Sequence, residues 1–379
     1  MSWAVTGAGA VAGIGRDPGE LFANLCAGVS GVGELKGFDL SRHDARFAYE
    51  VDDRPGPGTD VPRRATALLI DAVGQAARDA GLDERDLRGV PILIGTGLRE
   101  LRSVELWQRD GTDFPPQDLH FGTALRAAFG ADDTHTFSNA CSAGLYALAL
   151  GTDLLAAGTA DTVIVAGVDV LTETMYGLLE RVQPVPPDRV RPFDRNRAGV
   201  LMGEGAAAVV LTRTPAEGRK VHGVVRGVAV NCDAHHVTAP DPAGIAEAVR
   251  AAHAAAGLEP RDIDLVMLHG TGTLLNDEAE AVAVADAFGE HAGGPLMTAV
   301  KSMTGHTSGA SGLLALVVTL SCLAEGLVPP TLGLDDPVDE AAGFRLVTGK
   351  AAEAALEVAQ LNAFGFGGVN AVAIVEAAR

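Results

Sequence analysis

The 379-residue sequence predicts an α/β fold made of two duplicated halves, with mostly parallel strands around buried helices. Three observations carry this expectation. Short apolar segments alternate with helix-length ones along the chain, the pattern of parallel strands covered on both faces. The run Ala80-Gly81-Leu82-Asp83-Glu84-Arg85-Asp86-Leu87 returns as Ala256-Gly257-Leu258-Glu259-Pro260-Arg261-Asp262-Ile263, and each copy leads through an apolar stretch into Gly-Thr-Gly, at 95–97 and 270–272. Two runs too apolar for surface helices, 145–157 and 308–326, occupy matching places in the two copies. Matches in the same order mean a repeated unit. Its period is too long for a solenoid, and it divides the chain into 1–213 and 214–379.

Taken in order, Trp3-Ala4-Val5-Thr6-Gly7 reads as a strand running into a glycine-rich turn. Gly7, Gly9, Gly13 and Gly15 do not make a dinucleotide site: the spacing is GxGxxxG, and no acidic residue closes a second strand. A short helix is expected over 17–27. Pro55-Gly56-Pro57-Gly58 marks a loop, and 64–80 reads as a helix capped by Gly81. A strand follows over 90–94, then an irregular or short-helical stretch over 98–135. The apolar helix at 145–157 leads to a strand over 162–167, a Pro/Arg-rich loop over 182–194 and a strand over 206–211. Near 214 the pattern starts again.

Hydrophobic residues make up 47% of the chain but aromatics only 4%, so the core must be built from Ala, Val, Leu and Gly, packed closely. A net charge of −20 argues against nucleic acid and anionic membrane as partners. No stretch reaches the roughly 18 uninterrupted apolar residues of a membrane span. Cys26, Cys141, Cys232 and Cys322 form neither a CxxC pair nor a metal-ligand pattern, so no metal is expected. With no basic segment ahead of the apolar N-terminus, a cytoplasmic location is expected.

The chemistry-bearing residues fall in a few segments. Phe137-Ser138-Asn139-Ala140-Cys141-Ser142-Ala143-Gly144 places a thiol at the first turn of the first apolar helix, where N–H groups and the helix dipole are expected to lower its pKa. In the second half, Leu268-His269-Gly270-Thr271-Gly272-Thr273 ends a strand and is followed by Asn276, Asp277 and Glu280. Lys301-Ser302-Met303-Thr304-Gly305-His306 precedes the second apolar helix. His269 stands about opposite Ile94 of the first copy. A histidine in one copy alone is what a one-sided site would leave. Taken singly, each histidine reads as a hydrogen-bonded structural residue, Asp277 and Glu280 as helix-face charges, and the threonines as turn residues.

Taken together, the segments NACSAG (139–144), RPFDRNRAGVLMGEG (191–205), DAHHVTAPDP (233–242), HGTGTLLND (269–277), KSMTGHTSGASG (301–312) and NAFGFGGVN (362–370) resemble the β-ketoacyl-acyl carrier protein synthases of the elongating type, in the thiolase-like superfamily. The likeness runs from residue 3 nearly to the C-terminus. It implies a thiolase-like fold and decarboxylative Claisen condensation, in fatty-acid-like or polyketide secondary metabolism. By the same resemblance Cys141 takes the acyl group, and His269 and His306 assist malonyl decarboxylation with Lys301 in support. Thr271 and Thr273 bind the pantetheine arm, with Asp277 and Glu280 behind them. Phe366 gates the site and lends its N–H to an oxyanion hole with that of Cys141. No cofactor is implied beyond the phosphopantetheine of an acyl carrier protein, which is the implied partner. The chain is expected to form a homodimer, or a heterodimer with a ketosynthase-like subunit.

Three departures from the family pattern stand out. Leu313-Leu314-Ala315 stands where relatives carry a glutamate paired with the lysine, leaving Glu280 as a substitute partner for Lys301. Asn139 replaces a threonine. The segment between Gly97 and Phe137, which in relatives helps build the dimer interface and acyl tunnel, is short. Two other readings stay open: a non-condensing acyltransferase using the same acyl-cysteine, and a partner subunit of the chain-length-factor type. Docking of an acidic carrier protein calls for local positive charge, for which Arg63, Arg64, Arg191 and Arg195 are the candidates.

Overall fold

The computed structural model describes residues 2–378 apart from Pro55, Pro57, Glu84, Pro184 and Ala216. The two prolines of the expected 55–58 loop thus lie outside the described residues. The first half runs β1 (Trp3–Ala12), α1 (Pro18–Cys26), the hairpin β2 (Val32–Glu34) and β3 (Phe47–Tyr49), α2 (Arg64–Asp79), β4 (Ile92–Gly95), α3 (Leu101–Asp110), α4 (Gly122–Phe129), β5 (Thr134–Phe137), α5 (Ala143–Ala157), β6 (Thr162–Asp169), α6 (Glu173–Val182) and β7 (Gly205–Thr212). The second runs β8 (Gly223–Cys232), α7 (Pro242–Ala256), β9 (Leu265–Met267), α8 (Leu274–Phe288), β10 (Leu296–Thr298), α9 (Lys301–Thr304) and α10 (Ser311–Glu325). The short strands β11 (Leu327–Val328), β12 (Arg345–Leu346) and β13 (Ala352–Glu353) lead to β14 (Val358–Gly365) and β15 (Val369–Ala377).

The duplication is plain in the sheet. The first half is ordered β1-β7-β6-β4-β5 and the second β8-β15-β14-β9-β10. Each half therefore places its first, fifth, fourth, second and third main strands in that spatial sequence. Four of the five share one direction, and only β7 and β15 oppose it. An antiparallel pairing of β1 with β8, Trp3 opposite Val225, joins the halves; with β12 on the far edge, the described residues form one eleven-stranded sheet.

Helices α5 and α10 lie between the halves. Leu145 and Leu148 of α5 and Leu313, Leu316 and Leu320 of α10 pack with Val5, Val209 and Leu361 in one central cluster. Both helical segments (140–157 and 308–325) are long and apolar enough to cross a membrane by length and composition, but 83% of the second is buried inside the protein. Helix α2 covers the outer face of the first half, where Leu69 and Val73 meet Ile164 and Val210. Helices α7 and α8 cover the second, where Val249 and Val284 meet Val266 and Ile374.

Two local expectations are corrected. Gly7 does not end the first strand, which continues to Ala12. A Cβ at Gly7 would lie 2.2 Å from the Ala76 carbonyl oxygen, and one at Gly9 2.1 Å from that of Ala72. These glycines let α2 rest directly on β1, which a reading along one strand does not reveal. The 98–135 stretch is short-helical, as expected, with α3, a 3-10 turn at Pro116–Leu119 and α4, but β5 begins inside it at Thr134, and α6 lies ahead of the Pro/Arg-rich loop where no helix was expected.

Candidate active site

The thiol stands on a sharp elbow. The chain leaves β5, turns through Ala140–Ser142 and enters α5. Ala140 has φ +56, a left-handed conformation that costs a non-glycine residue about 1–2 kcal/mol. Neighbouring glycines make the turn possible: a Cβ at Gly95 would meet the Ala143 carbonyl carbon at 2.4 Å, and one at Gly365 the Cys141 nitrogen at 3.2 Å. The second half repeats the device, with Ser308 at φ +46 just before Gly309 and α10. The backbone N–H groups of Cys141 and Phe366 both act on the Cys141 sulfur, each favouring its thiolate.

The helix start does not lower the pKa of this thiol, contrary to expectation. Burial pushes it up to about 11, with Lys301 and the two N–H groups opposing and Asp169 reinforcing the rise. Desolvation of a thiolate by the apolar walls around the half-buried Cys141 outweighs the dipole here. The resting nucleophile is a thiol.

Beside it lie two histidines and a lysine. Lys301, at the start of α9, donates to the His269 carbonyl, and its Nζ is 3.3 Å from His269 Nδ1. An ammonium can only donate, so Nδ1 accepts and the ring proton belongs on Nε2. The His269 ring meets the His306 ring edge-on, centroids 5.4 Å apart, and Phe364 on another side at 5.6 Å. Burial, then the Lys301 charge, holds both histidines well below the ordinary value, so both are neutral. Burial pushes Lys301 itself down to about 8, against the pull of Glu280, Cys141 and Asp277. Among the described residues, neither ring nitrogen of His306 has a hydrogen-bond partner, although both are buried. Buried polar atoms are rarely left so, and these two line the cavity described below.

Asp277 and Glu280, at the start of α8, hold the 269–273 loop. Glu280 accepts from the N–H groups of His269 (2.7 Å) and Gly270 (2.8 Å) and from Asn362 (3.0 Å). Asp277 accepts from Thr271 (3.1 Å), Gly272 (3.3 Å), the Asn276 amide (3.1 Å) and the Phe193 N–H (2.8 Å). Burial raises both carboxyls, Glu280 to about 7. Glu280 is thus not a direct partner for Lys301: its oxygens are taken by backbone and amide donors, and Lys301 turns to His269 instead. Leu313, Leu314 and Ala315, in the place of the missing glutamate, belong to the apolar central layer.

Cys141, His269 and His306 line one cavity of about 500 Å³. Its lining also includes Thr271 and Thr273, the half-exposed Leu274, Leu275 and Phe366, and the buried Leu179 and Met202. The two threonine hydroxyls share a 2.9 Å hydrogen bond. Phe366 is followed by Gly367 and Gly368 at φ +88 and +77, and the Gly367 N–H donates to the Val237 carbonyl, tying this segment to the 233–242 loop. The sequence-predicted residues Cys141, His269, Lys301, His306, Thr271, Thr273 and Phe366 therefore meet in one place.

Asp169 escaped the sequence reading. At the end of β6 it accepts from the Thr96 hydroxyl and the N–H groups of Gly97, Leu98 and Gly309, clamping the turn after β4 to the start of the second elbow. Its only signal was one carboxylate closing an otherwise apolar strand. The basic candidates fare less well. Arg64 is buried, binding Glu204 and Asp53, and cannot reach a partner. Arg63 pairs with Asp118, Arg191 with Asp188, and Arg195 with Asp336 and Asp339, so each keeps only part of its positive field.

Two thiolase-like halves meeting around a cysteine, two neutral histidines and a lysine define a thiolase-like acyltransferase. The chain belongs to the β-ketoacyl synthase family: residues 3–216 match the model "Beta-ketoacyl synthase, N-terminal domain" and residues 222–335 the model "Beta-ketoacyl synthase, C-terminal domain". It is a carbon–carbon-bond-forming enzyme of the 3-oxoacyl synthase kind. It is 33% identical to 3-oxoacyl-[acyl-carrier-protein] synthase 2 of Synechocystis sp., over 97% of this chain and 95% of the relative. It is 30% identical to nodulation protein E of Rhizobium meliloti, over 97% of each. Among solved structures, the ishigamide ketosynthase/chain length factor superposes with a TM-score of 0.90 at 32% identity, covering 100% of this chain and 99% of the other.

Proposed function

We propose that the enzyme condenses an acyl group held on Cys141 with a malonyl group held on an acyl carrier protein. One observation carries the reading: a thiol facing two N–H donors stands beside a neutral His269 whose proton is directed to Nε2 by Lys301. In the first step the thiol attacks the thioester of the acyl-carrier. Its proton passes through a neutral histidine to the departing carrier thiolate. The N–H groups of Cys141 and Phe366 stabilise the tetrahedral oxyanion, each worth about 3 kcal/mol. In the second step the malonyl carboxylate leaves as CO2. The electron pair left behind is held as an enolate, whose oxygen accepts from His269 and His306. The enolate carbon attacks the acyl-Cys141 carbonyl, the bond to sulfur breaks, a 3-oxoacyl group leaves on the carrier, and the freed thiolate takes up one proton from solvent, the proton that each turnover consumes. Keeping both histidines neutral makes them donors without giving the enolate a proton to capture.

The first half, 1–213, supplies the nucleophile and the second, 214–379, the decarboxylating groups. In this reading Thr271 and Thr273, which line the same cavity, bind the phosphopantetheine arm, and no resident cofactor is invoked. Of the basic residues, Arg63, Arg191 and Arg195 remain exposed enough to meet the carrier. A ketosynthase-like partner subunit, identical or not, fits the exposed outer edge of β5 at the end of the sheet. Four free cysteines fit a reducing cytoplasm.

Incubation with acyl- and malonyl-carrier protein tests the reading, following the mass of the Cys141 peptide and release of CO2. Acylation with CO2 release is expected. Acylation without CO2 would place the enzyme among non-condensing acyltransferases, and no acylation among partner subunits.

A further inference from the structure

We propose that His253, Gln360 and Asn362 form a positioning chain that fixes Glu280 and, through it, the His269 loop for decarboxylation; the proposal rests on the condensing reading above. His253 Nε2 lies 2.7 Å from Gln360 Oε1, Gln360 Nε2 donates to Asn362 Oδ1 at 2.8 Å, and Asn362 Nδ2 donates to Glu280 Oε1 at 3.0 Å. The same carboxylate takes the His269 and Gly270 N–H groups. The line therefore runs from the outer helix α7, across β14, to the loop that presents His269.

Its direction follows from the donor and acceptor inventory. A carboxylate only accepts, so Asn362 presents its amide N–H2 to Glu280 and its oxygen to Gln360. Gln360 then presents its oxygen to His253, whose Nε2 must carry a proton. Each link fixes the next, and the ring is held against Phe288, edge-on at 5.3 Å. All four side chains are buried, from fully to 4% exposed. A buried polar line is stable only while every member is paired, and breaking one link strands the others.

The fold itself does not require this line. On β6, which holds the place of β14 in the first half, the outward residues Ile164, Ala166 and Val168 are all apolar. On β14 the outward face reads Val358, Gln360, Asn362, Phe364, apolar only at its ends. The repeat that matches Ala80 with Ala256 sets His253 against Ala77, a buried alanine. The half that carries the histidines has polar groups where its twin is greasy, and the line ends on the loop that only this half uses for chemistry.

Three variants test it: His253→Leu, His253→Gln, which keeps an N–H donor near the place of Nε2, and Gln360→Glu, which keeps the shape and the acceptor for His253 but cannot donate to Asn362. Cys141 acylation, CO2 release, the KM for malonyl-carrier protein and the melting temperature are measured for each. In His253→Leu and Gln360→Glu, CO2 release should fall by on the order of tenfold to a hundredfold, the cost of a small misplacement of a reacting group, with KM and acylation unchanged. His253→Gln should restore CO2 release. Equal loss of acylation and CO2 release, or no loss in either variant, would overturn the proposal. If His253→Leu fails to fold, the near-isosteric Gln360→Glu decides alone. A parent enzyme that acylates Cys141 but releases no CO2 would instead overturn the condensing reading, and this proposal with it.

Discussion

Lys301 decides what His269 can do. Its ammonium occupies Nδ1 and the backbone carbonyl of the same histidine, leaving Nε2–H as the only donor on that ring. Lys301→Ala removes this constraint and the nearest positive charge. CO2 release should fall about a hundredfold, while acylation of Cys141, which needs only a neutral base and the two N–H donors, persists. The pH dependence follows from the same residue. Burial has brought Lys301 down to about 8, so the ammonium is lost as pH rises through that value. Decarboxylation should therefore decline above about pH 8 in the parent enzyme. The histidines, held neutral far below the ordinary value, set no limb near pH 7. Rate profiles for CO2 release and for acylation, taken separately, check both statements.

At the scale of elements, two contacts set the frame of the site. The first is α2 on β1. Gly9→Ala would drive a methyl group into the Ala72 carbonyl, forcing the helix off the strand, and should cost about 1–3 kcal/mol, read as a lower urea midpoint. The second is Glu204, which lies just before β7 and binds Arg54 and Arg64 by both oxygens. Burial pushes this carboxyl up, but the two guanidinium groups more than offset it and hold it down to about 2. Its folded value lies below its unfolded one, so its contribution is present above about pH 4 and is lost as pH falls towards 2. Glu204→Gln should cost about 3–5 kcal/mol at pH 7, because two buried cations lose their counter-charge. In urea titrations at several pH values, the gap between variant and parent should close below pH 4.

The whole molecule is two copies of one unit that cannot stand apart. Helix α10 of the second half packs on β7 of the first, and α5 of the first packs on β8 of the second. Residues 1–213 expressed alone would expose the apolar face that α10 covers. They are expected to show no cooperative thermal transition and weak near-UV circular dichroism, whereas the full chain should melt in a single step. The same interlocking explains the site, since the thiol comes from one half and its histidines from the other. They meet because the turns at Ala140–Ser142 and Ser308–Ala310, which open α5 and α10, pack against each other between the halves.

Local pattern by itself determined the repeat, the buried helices and the residue types of the site, because strand and helix periodicity and short polar motifs are written in consecutive residues. Cys141, His269, Lys301 and His306 became legible as one site only through the family resemblance of the motifs that hold them. What only the tertiary structure decided were quantities set by neighbours distant along the chain. Burial, not the helix start, governs the Cys141 thiol. Glu280 serves the backbone rather than Lys301. Arg64 is consumed by Glu204, 140 residues away. Gly7 and Gly9 answer to a helix rather than to a turn. Asp169, and the line from His253 to Glu280, join segments from three or more elements. Desolvation and hydrogen bonding depend on what surrounds a group in space, and no stretch of sequence holds that information.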